Sequence, residues 1–239
     1  VKQTTKIVLA IIGVLVVAVV GLAVYARVTL DSLLTDADGA GERVELSGTR
    51  IERSFDVADF EQIEVRGGWQ VAVREGADFD VRIETDEALL ELVSVERTGD
   101  TLEIGSQRKW YWNEDARLRA TVTMPTLSAL RVAGGADVDI AGFSGGALAL
   151  GISGAADVTA ADAAWDRLAV QVSGAANVDF TAGRVTDAEV RLDGAGNVEL
   201  TMGGGELTGR IAGVGSITYG GEVSRESVDI DGLGSVERR

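Results

Sequence analysis

Six copies of one five-residue phrase recur through the second half of this chain. They read Gly134-Gly-Ala-Asp-Val138, Gly154-Ala-Ala-Asp-Val158, Gly174-Ala-Ala-Asn-Val178, Gly194-Ala-Gly-Asn-Val198, Gly213-Val-Gly-Ser-Ile217 and Gly232-Leu-Gly-Ser-Val236. The leading glycines stand 20, 20, 20, 19 and 19 residues apart. A fixed period of that size is the mark of a solenoid, in which each repeat stacks on the one before it.

Within a repeat the apolar residues alternate. Leu168, Val170 and Val172 interleave with Ala169, Gln171 and Ser173, and after the corner at Gly174 the inward face resumes with Val178 and Phe180. The other repeats align with this one, so each reads as two half-buried strands meeting at a glycine corner. A looser return such as residues 181–187 closes the coil. Equivalent strands of successive coils run the same way, which predicts a parallel β-helix of about 20 residues per coil, its rungs about 4.8 Å apart. Thirty-one glycines and a single proline, Pro125, suit many tight corners and uninterrupted ladders.

The corner glycine supplies either a positive φ or a close backbone approach. Behind it Ala155, Ala175 and Ala195 permit tight stacking. The fourth position holds Asp137, Asp157, Asn177, Asn197, Ser216 and Ser235, short polar groups suited to hydrogen-bonding nearby backbone. The acidic members also raise cation binding, since neighbouring rungs bring their carboxylates close. The uncharged Asn and Ser members favour a hydrogen-bonded corner ladder, and no metal or cofactor site is assigned.

Ahead of the repeats, alternation in residues 63–65, 71–73 and 79–83 marks further strands. Residues 86–92 read as a short helix capped by Asp86, and residues 95–104 as a hairpin turned at Thr98-Gly-Asp-Thr101. Residues 117–124 form another strand before Pro125. Residues 44–129 are thus an N-terminal β part of the solenoid with insertions, and residues 130–239 its regular repeats. The first coil boundary falls at Leu130.

Residues 7–24 (IVLAIIGVLVVAVVGLAV) carry no charge, and with Tyr25 and Ala26 the run is long enough for one membrane-spanning helix. Lys2 and Lys6 precede it and Asp31, Asp36 and Asp38 follow, so the N-terminus is expected in the cytoplasm and the remainder outside. Residues 1–27 are read as this anchor, the competing reading being a cleaved signal peptide, and residues 28–43 as a linker. Either way the β-helix is exported to the periplasm or cell exterior. The chain has no Cys and no His, which excludes disulfides, thiolate chemistry, Ser-His-Asp triads and His-based zinc sites. A formal net charge of −16 argues against nucleic acid as a partner.

The phrase from Met124 through Val138 (MPTLSALRVAGGADV), followed by Ile152-Ser-Gly-Ala-Ala-Asp-Val158 and Val172-Ser-Gly-Ala-Ala-Asn-Val178, resembles the bacterial head GIN domain family, often labelled auto-transporter adhesins. Residues 60–71 (FEQIEVRGGWQV) are similar to that family's opening segment. The resemblance covers roughly residues 50–236. It implies a right-handed, single-stranded parallel β-helix in an exported envelope protein, and it brings no enzyme activity and no catalytic residues.

Outside the repeats the most unusual composition is Arg108-Lys-Trp-Tyr-Trp112, three aromatics together in a chain that is only 5% aromatic. Exposed rings can stack on sugars or anchor a protein partner, which makes Trp110, Tyr111 and Trp112 the candidate binding surface. The alternative is a loop covering the end of the helix. Trp69 and Trp165 read as packing. Asp139, Asp179, Glu189 and Glu199 raise a polysaccharide lyase groove, but no paired acid and base stands out. The expected role is a non-enzymatic, membrane-anchored adhesion or interaction module for an envelope protein or glycan. A carbohydrate-active enzyme and an envelope signalling accessory are the alternatives. The last coil shows no evident cap, so its edge is open to pairing with another copy, and the charges of Glu237, Arg238 and Arg239 equally serve to block it.

Overall fold

Apolar residues at every second position bury one side of each strand, and the period decides what the strands pair with. The computed structural model describes residues 44–106 and 117–239, all within one compact unit, Val44–Arg239. The apolar run at 7–24 and the aromatic cluster at 110–112 lie outside the described residues. Among the described residues no helix is long and apolar enough to cross a membrane.

The N-terminal part comprises β1 (Arg50–Phe55), β2 (Gln62–Glu75), β3 (Asp80–Asp86), α1 (Glu87–Leu90), β4 (Val93–Thr98), β5 (Thr101–Ser106) and β6 (Arg119–Met124). The repeats follow as β7 (Ala129–Ala141), β8 (Ala147–Ile152), β9 (Ala155–Val172), β10 (Ala175–Leu192), β11 (Ala195–Gly203), β12 (Glu206–Ile211), β13 (Val214–Glu222), β14 (Arg225–Ile230) and β15 (Leu233–Arg238). After the corner, β2, β7, β9, β10, β11, β13 and β15 form one parallel ladder. Before it, β7, β8, β9, β10, β12 and β14 form another. The result is a parallel β-solenoid of about six turns.

The return is tighter than the sequence suggests. β9 and β10 run unbroken through it, with two compensating register slips, one extra residue in β10 between Asp179 and Ala182 and one in β9 between Ala161 and Ala164. Val185 on this side pairs with Trp165, and both are buried, so packing holds the return in the ladder. Volume is traded between neighbouring coils here. Small Ala160 and large Trp165 share one coil, while large Phe180 and small Val185 share the next, and the Trp165 and Phe180 rings lie 5.5 Å apart. Phe143 stacks on the other side of Trp165 at 6.4 Å. Such interdigitation is how a column of unequal side chains reaches interior packing density.

The corner glycines are required by approach rather than by dihedral. At Gly154, Gly174, Gly194, Gly213 and Gly232 an added Cβ would stand less than 3.0 Å from the carbonyl oxygen of the preceding corner glycine. None of these five has a left-handed φ. That oxygen is also an acceptor: Ala175 N–H donates to Gly154 O and Ala195 N–H to Gly174 O, each at 2.8 Å. The column starts one coil earlier than the period implies, because Gly67 pairs with Gly134. Ala155 and Ala175 face solvent, and the small residues that permit tight stacking are the next ones in, the buried Ala136, Ala156 and Ala176.

Between Gly67 and Gly134 the chain leaves the stack and returns. β5 pairs with the first half of β2 and β6 with its second half, so the two together make a further coil beneath β2. Residues 107–116 stand in the chain where that coil would have its corner. β3 and β1 extend the β6 side antiparallel, and β4 extends the β5 side as the expected hairpin, Thr98 opposite Thr101. The short helix is also present, capped by the Asp86 carboxylate accepting from Ala88 N–H.

Close approach makes a specific prediction. Gly174→Ala drives a methyl into the Gly154 carbonyl and should lower unfolding free energy by about 1–3 kcal/mol, the usual cost of overpacking. Gly135→Ala, which meets nothing within 4 Å, should be close to neutral. Parallel urea titrations of the two variants read the difference.

Candidate functional site

The corner carries two layers of polar groups, and they do different work. Ser153 and Ser173, just before the glycines, donate their hydroxyls to Val132 O and Ile152 O at 3.3 Å. These residues, rather than the Asp and Asn of the repeated phrase, serve the backbone. The fourth-position side chains project outward and bond to one another along the stack. Ser216 Oγ donates to Asn197 Oδ1 at 2.8 Å, Asn197 Nδ2 to Asn177 Oδ1 at 3.3 Å, and Asn177 Nδ2 to Asp157 Oδ1 at 2.8 Å.

The chain of donors therefore points toward the N-terminal end and finishes on a carboxylate. An amide suits the middle of such a ladder because it can accept from one rung and donate to the next. Asp137 lies in register beside Asp157, and Gln70 precedes it in the same column. Among the described residues no group of three or more Asp, Glu, His or Cys side chains is placed to hold a metal ion.

Of the acids that suggested a lyase groove, three fall in one column that runs Asp139, Thr159, Asp179, Glu199, with Asp179 and Glu199 on adjacent rungs. Asp139, Asp179 and Glu199 lie on the ladder after the corner, and Glu189 lies on the ladder before it. Asp179 Oδ1 caps its own strand by accepting from Thr181 N–H at 2.8 Å. Glu189 is ion-paired with Arg191, and Glu199 with Arg239. Trp69 and Trp165 are buried, Trp69 donating its Nε1–H to Arg66 O at 3.0 Å. An open cleft at the N-terminal end is lined by Asp59, Phe60, Glu61, Phe79, Asp100, Pro125 and Thr126. Its aromatic floor is inward-packed, Phe60 being buried against Phe79.

Among the described residues three groups are shifted from their ordinary values, and each marks a structural joint. Desolvation pushes the Asp86 carboxyl up, but hydrogen bonds from Ser47 N–H, Ala88 N–H, the Ser47 hydroxyl and Gly48 N–H outweigh it and leave its pKa below the usual carboxylate range. Arg66 is raised by its hydrogen bond and charge contact with Glu64 and by the charge of Glu103, tying β2 to β5. Tyr219 is raised by donating its hydroxyl to Glu226, then by desolvation and by the charge of that carboxylate. Sequence reasoning found Asp86 as a helix cap but missed its hold on Ser47 and Gly48. The signal for Gly67 was present, since Val65-Arg-Gly-Gly-Trp-Gln-Val71 superimposes on Val132-Ala-Gly-Gly-Ala-Asp-Val138.

Asn177→Ala removes a donor and an acceptor from the exposed ladder and should cost about 0.5–1 kcal/mol. Asn177→Asp should cost more, because a second carboxylate then faces Asp157 without a proton to share, and thermal melts at neutral pH compare them. For Asp86 the folded-state pKa is the lower one, so its stabilisation is full above the unfolded value near 3.8 and is lost as pH falls through the folded value. The gap in melting temperature between the native chain and Asp86→Asn should hold steady from pH 7 to 5 and close below about pH 4.

Comparison with known proteins agrees with this architecture. The family described as "Putative auto-transporter adhesin, head GIN domain" matches residues 59–202, more than half of the chain. A solved putative adhesin from Bacteroides fragilis NCTC 9343 superimposes with a TM-score of 0.62 at 18% identity, covering 82% of this chain and 100% of that one. Another from Parabacteroides distasonis ATCC 8503 gives 0.55 at 18% identity, covering 83% and 100%. A third, from Parabacteroides merdae ATCC 43184, gives 0.51 at 16% identity, covering 81% and 97%. At these identities the likeness is one of fold. No curated protein matches the chain.

Proposed function

This chain belongs to the head GIN domain family, and from that premise we propose that it is a non-enzymatic binding module displayed outside the cytoplasmic membrane. The family match carries the reading. The adhesin names of the family and of its structural relatives support adhesion rather than turnover. The engagement of the adjacent acids supports it too: Asp179 caps its own strand and Glu199 is ion-paired with Arg239, whereas acid–base catalysis needs both groups free toward one bond.

In this reading residues 7–24 form a single-pass anchor, with Lys2 and Lys6 on the cytoplasmic side and the solenoid in the periplasm or beyond. The partner is an envelope protein or glycan. Its contact is Trp110, Tyr111 and Trp112, the one dense aromatic cluster in the chain. That cluster sits between β5 and β6, where a coil would otherwise have its glycine corner. Aromatic side chains are frequent anchors of recognition surfaces, because each carries a large apolar face and, in Tyr and Trp, a polar handle.

Fractionation of cells followed by protease shaving should recover the full chain in membranes, with its solenoid cleaved or protected according to which side of the outer layer it occupies. Binding to purified sacculi and a panel of surface polysaccharides should fall about tenfold or more for Trp110→Ala and for Trp112→Ala, while the solenoid's melting temperature holds. Release of reducing ends from any of those polysaccharides would replace this reading with an enzymatic one.

A further inference from the structure

The stretch that leads into the solenoid is held from outside rather than from within. Residues 44–55, which end in β1, include no fully buried side chain: Val44, Leu46, Ile51 and Phe55 are half-buried and the rest are exposed. Among the described residues β1 has one neighbour, β3, in a register that runs from Arg50 opposite Asp86 to Phe55 opposite Val81. Its two ion pairs, Arg50–Glu84 and Arg53–Glu91, sit at the surface, where such pairs contribute little.

Asp86 is the clasp that closes this stretch. Its Oδ1 accepts from Ser47 N–H and from the Ser47 hydroxyl, each at 3.0 Å, and its Oδ2 accepts from Gly48 N–H at 2.8 Å. Glu87 N–H adds a bond to Thr49 O at 2.9 Å. Bonds to a carboxylate are the strong ones, and here three of them share one acceptor group, so they are lost together. The neighbouring residue acts in the opposite sense. Thr85 lies opposite Ile51 and is only 1% exposed, and its Oγ1 has no hydrogen-bond partner among the described residues. A buried hydroxyl left unpaired is destabilising, and water would satisfy it if the strand above it lifted.

From a clasp on one residue and an unsatisfied group on the next, we infer that residues 44–55 form a releasable strap that lifts from β3 as a unit under tension while the coils stay stacked. The function of the strap rests on the reading of residues 7–24 as an anchor. Load between the membrane and a bound partner then enters the domain through this stretch first. Release adds residues 44–55 to the linker at 28–43, roughly 40 Å of extended chain, so the module gains reach before it loses structure. Segments with few buried contacts and exposed backbone bonds are the ones that open ahead of the global transition. Peeling halts at β2, where Phe60 and Ile63 are fully buried and the N–H groups of Glu61 and Gln62 both donate to Asp100 O at 3.0 Å.

Single full-length chains pulled by their two ends in detergent read this directly. The first step should release roughly 40 Å of contour at a lower force than any step from the coils. Asp86→Asn keeps an acceptor for Ser47 and Ala88 but turns a donor toward Gly48 N–H, and it should open the strap on the order of tenfold faster at a given force. Thr85→Val removes the unpaired hydroxyl at nearly constant volume and should open it more slowly than in the native chain. Neither variant should move the coil steps, and opposite shifts from adjacent residues are a pattern that misfolding could not produce. The strap is overturned by a chain whose first step is rupture of the coils, by variants that shift the first step and the coil steps alike, or by a Thr85→Val chain that opens no more slowly. Fractionation tests the anchor separately, because the step appears whether or not the chain resides in a membrane.

Discussion

Everything in this solenoid is built around one backbone contact, the seating of each corner glycine on the carbonyl of the glycine one coil below. That carbonyl accepts the N–H of the residue after the next glycine, so the corner is both the tightest contact and a hydrogen bond of the ladder. With no room for a Cβ, the two flanking strands close to ladder distance on both sides at once. The alternating apolar residues then meet inside as continuous columns. A single coil orders about 20 residues for a handful of buried aliphatics, and only stacking offsets that entropy.

The constraint also explains where variety is permitted. Inward positions may exchange volume with a neighbouring coil, as Trp165 and Phe180 do, so long as the layer fills. The outward fourth position tolerates Asp, Asn or Ser because its bonds run sideways to its own counterparts. Departures from the stack are confined to the two ends. At the N-terminal end the coil beneath β2 is assembled from two separated strands, β5 and β6. At the other end Glu226 and Arg238 enter columns that are apolar elsewhere.

Much of this was legible in the residues. The period gave the coil length, and alternation gave the inward faces. Asp86 announced the helix, and Thr98-Gly-Asp-Thr101 announced the hairpin. The coil at Gly67 was harder to see because an excursion of roughly fifty residues hides the period, although its Gly-Gly phrase matches the next. The partners of the polar ladder were not legible. An Asn at a corner can serve backbone or neighbour equally well, and only the distance between stacked side chains decides. The charges at 226 and 238 read as ordinary surface residues until register put them in core columns. The aromatic segment at 110–112 was legible from composition, three consecutive rings in a chain that is 5% aromatic.

The most direct test of the stacking account is native-state hydrogen exchange at the corner amides. Ala175, Ala195 and Val214 donate to Gly154, Gly174 and Gly194 across successive coils. If the glycine column holds the fold together, these amides should be as strongly protected as those of the buried strands, with exchange only through global opening. Exchange at corner amides as fast as at the exposed hairpin turn of Gly99 and Asp100 would contradict it, and would mean that the strands stack without help from their corners.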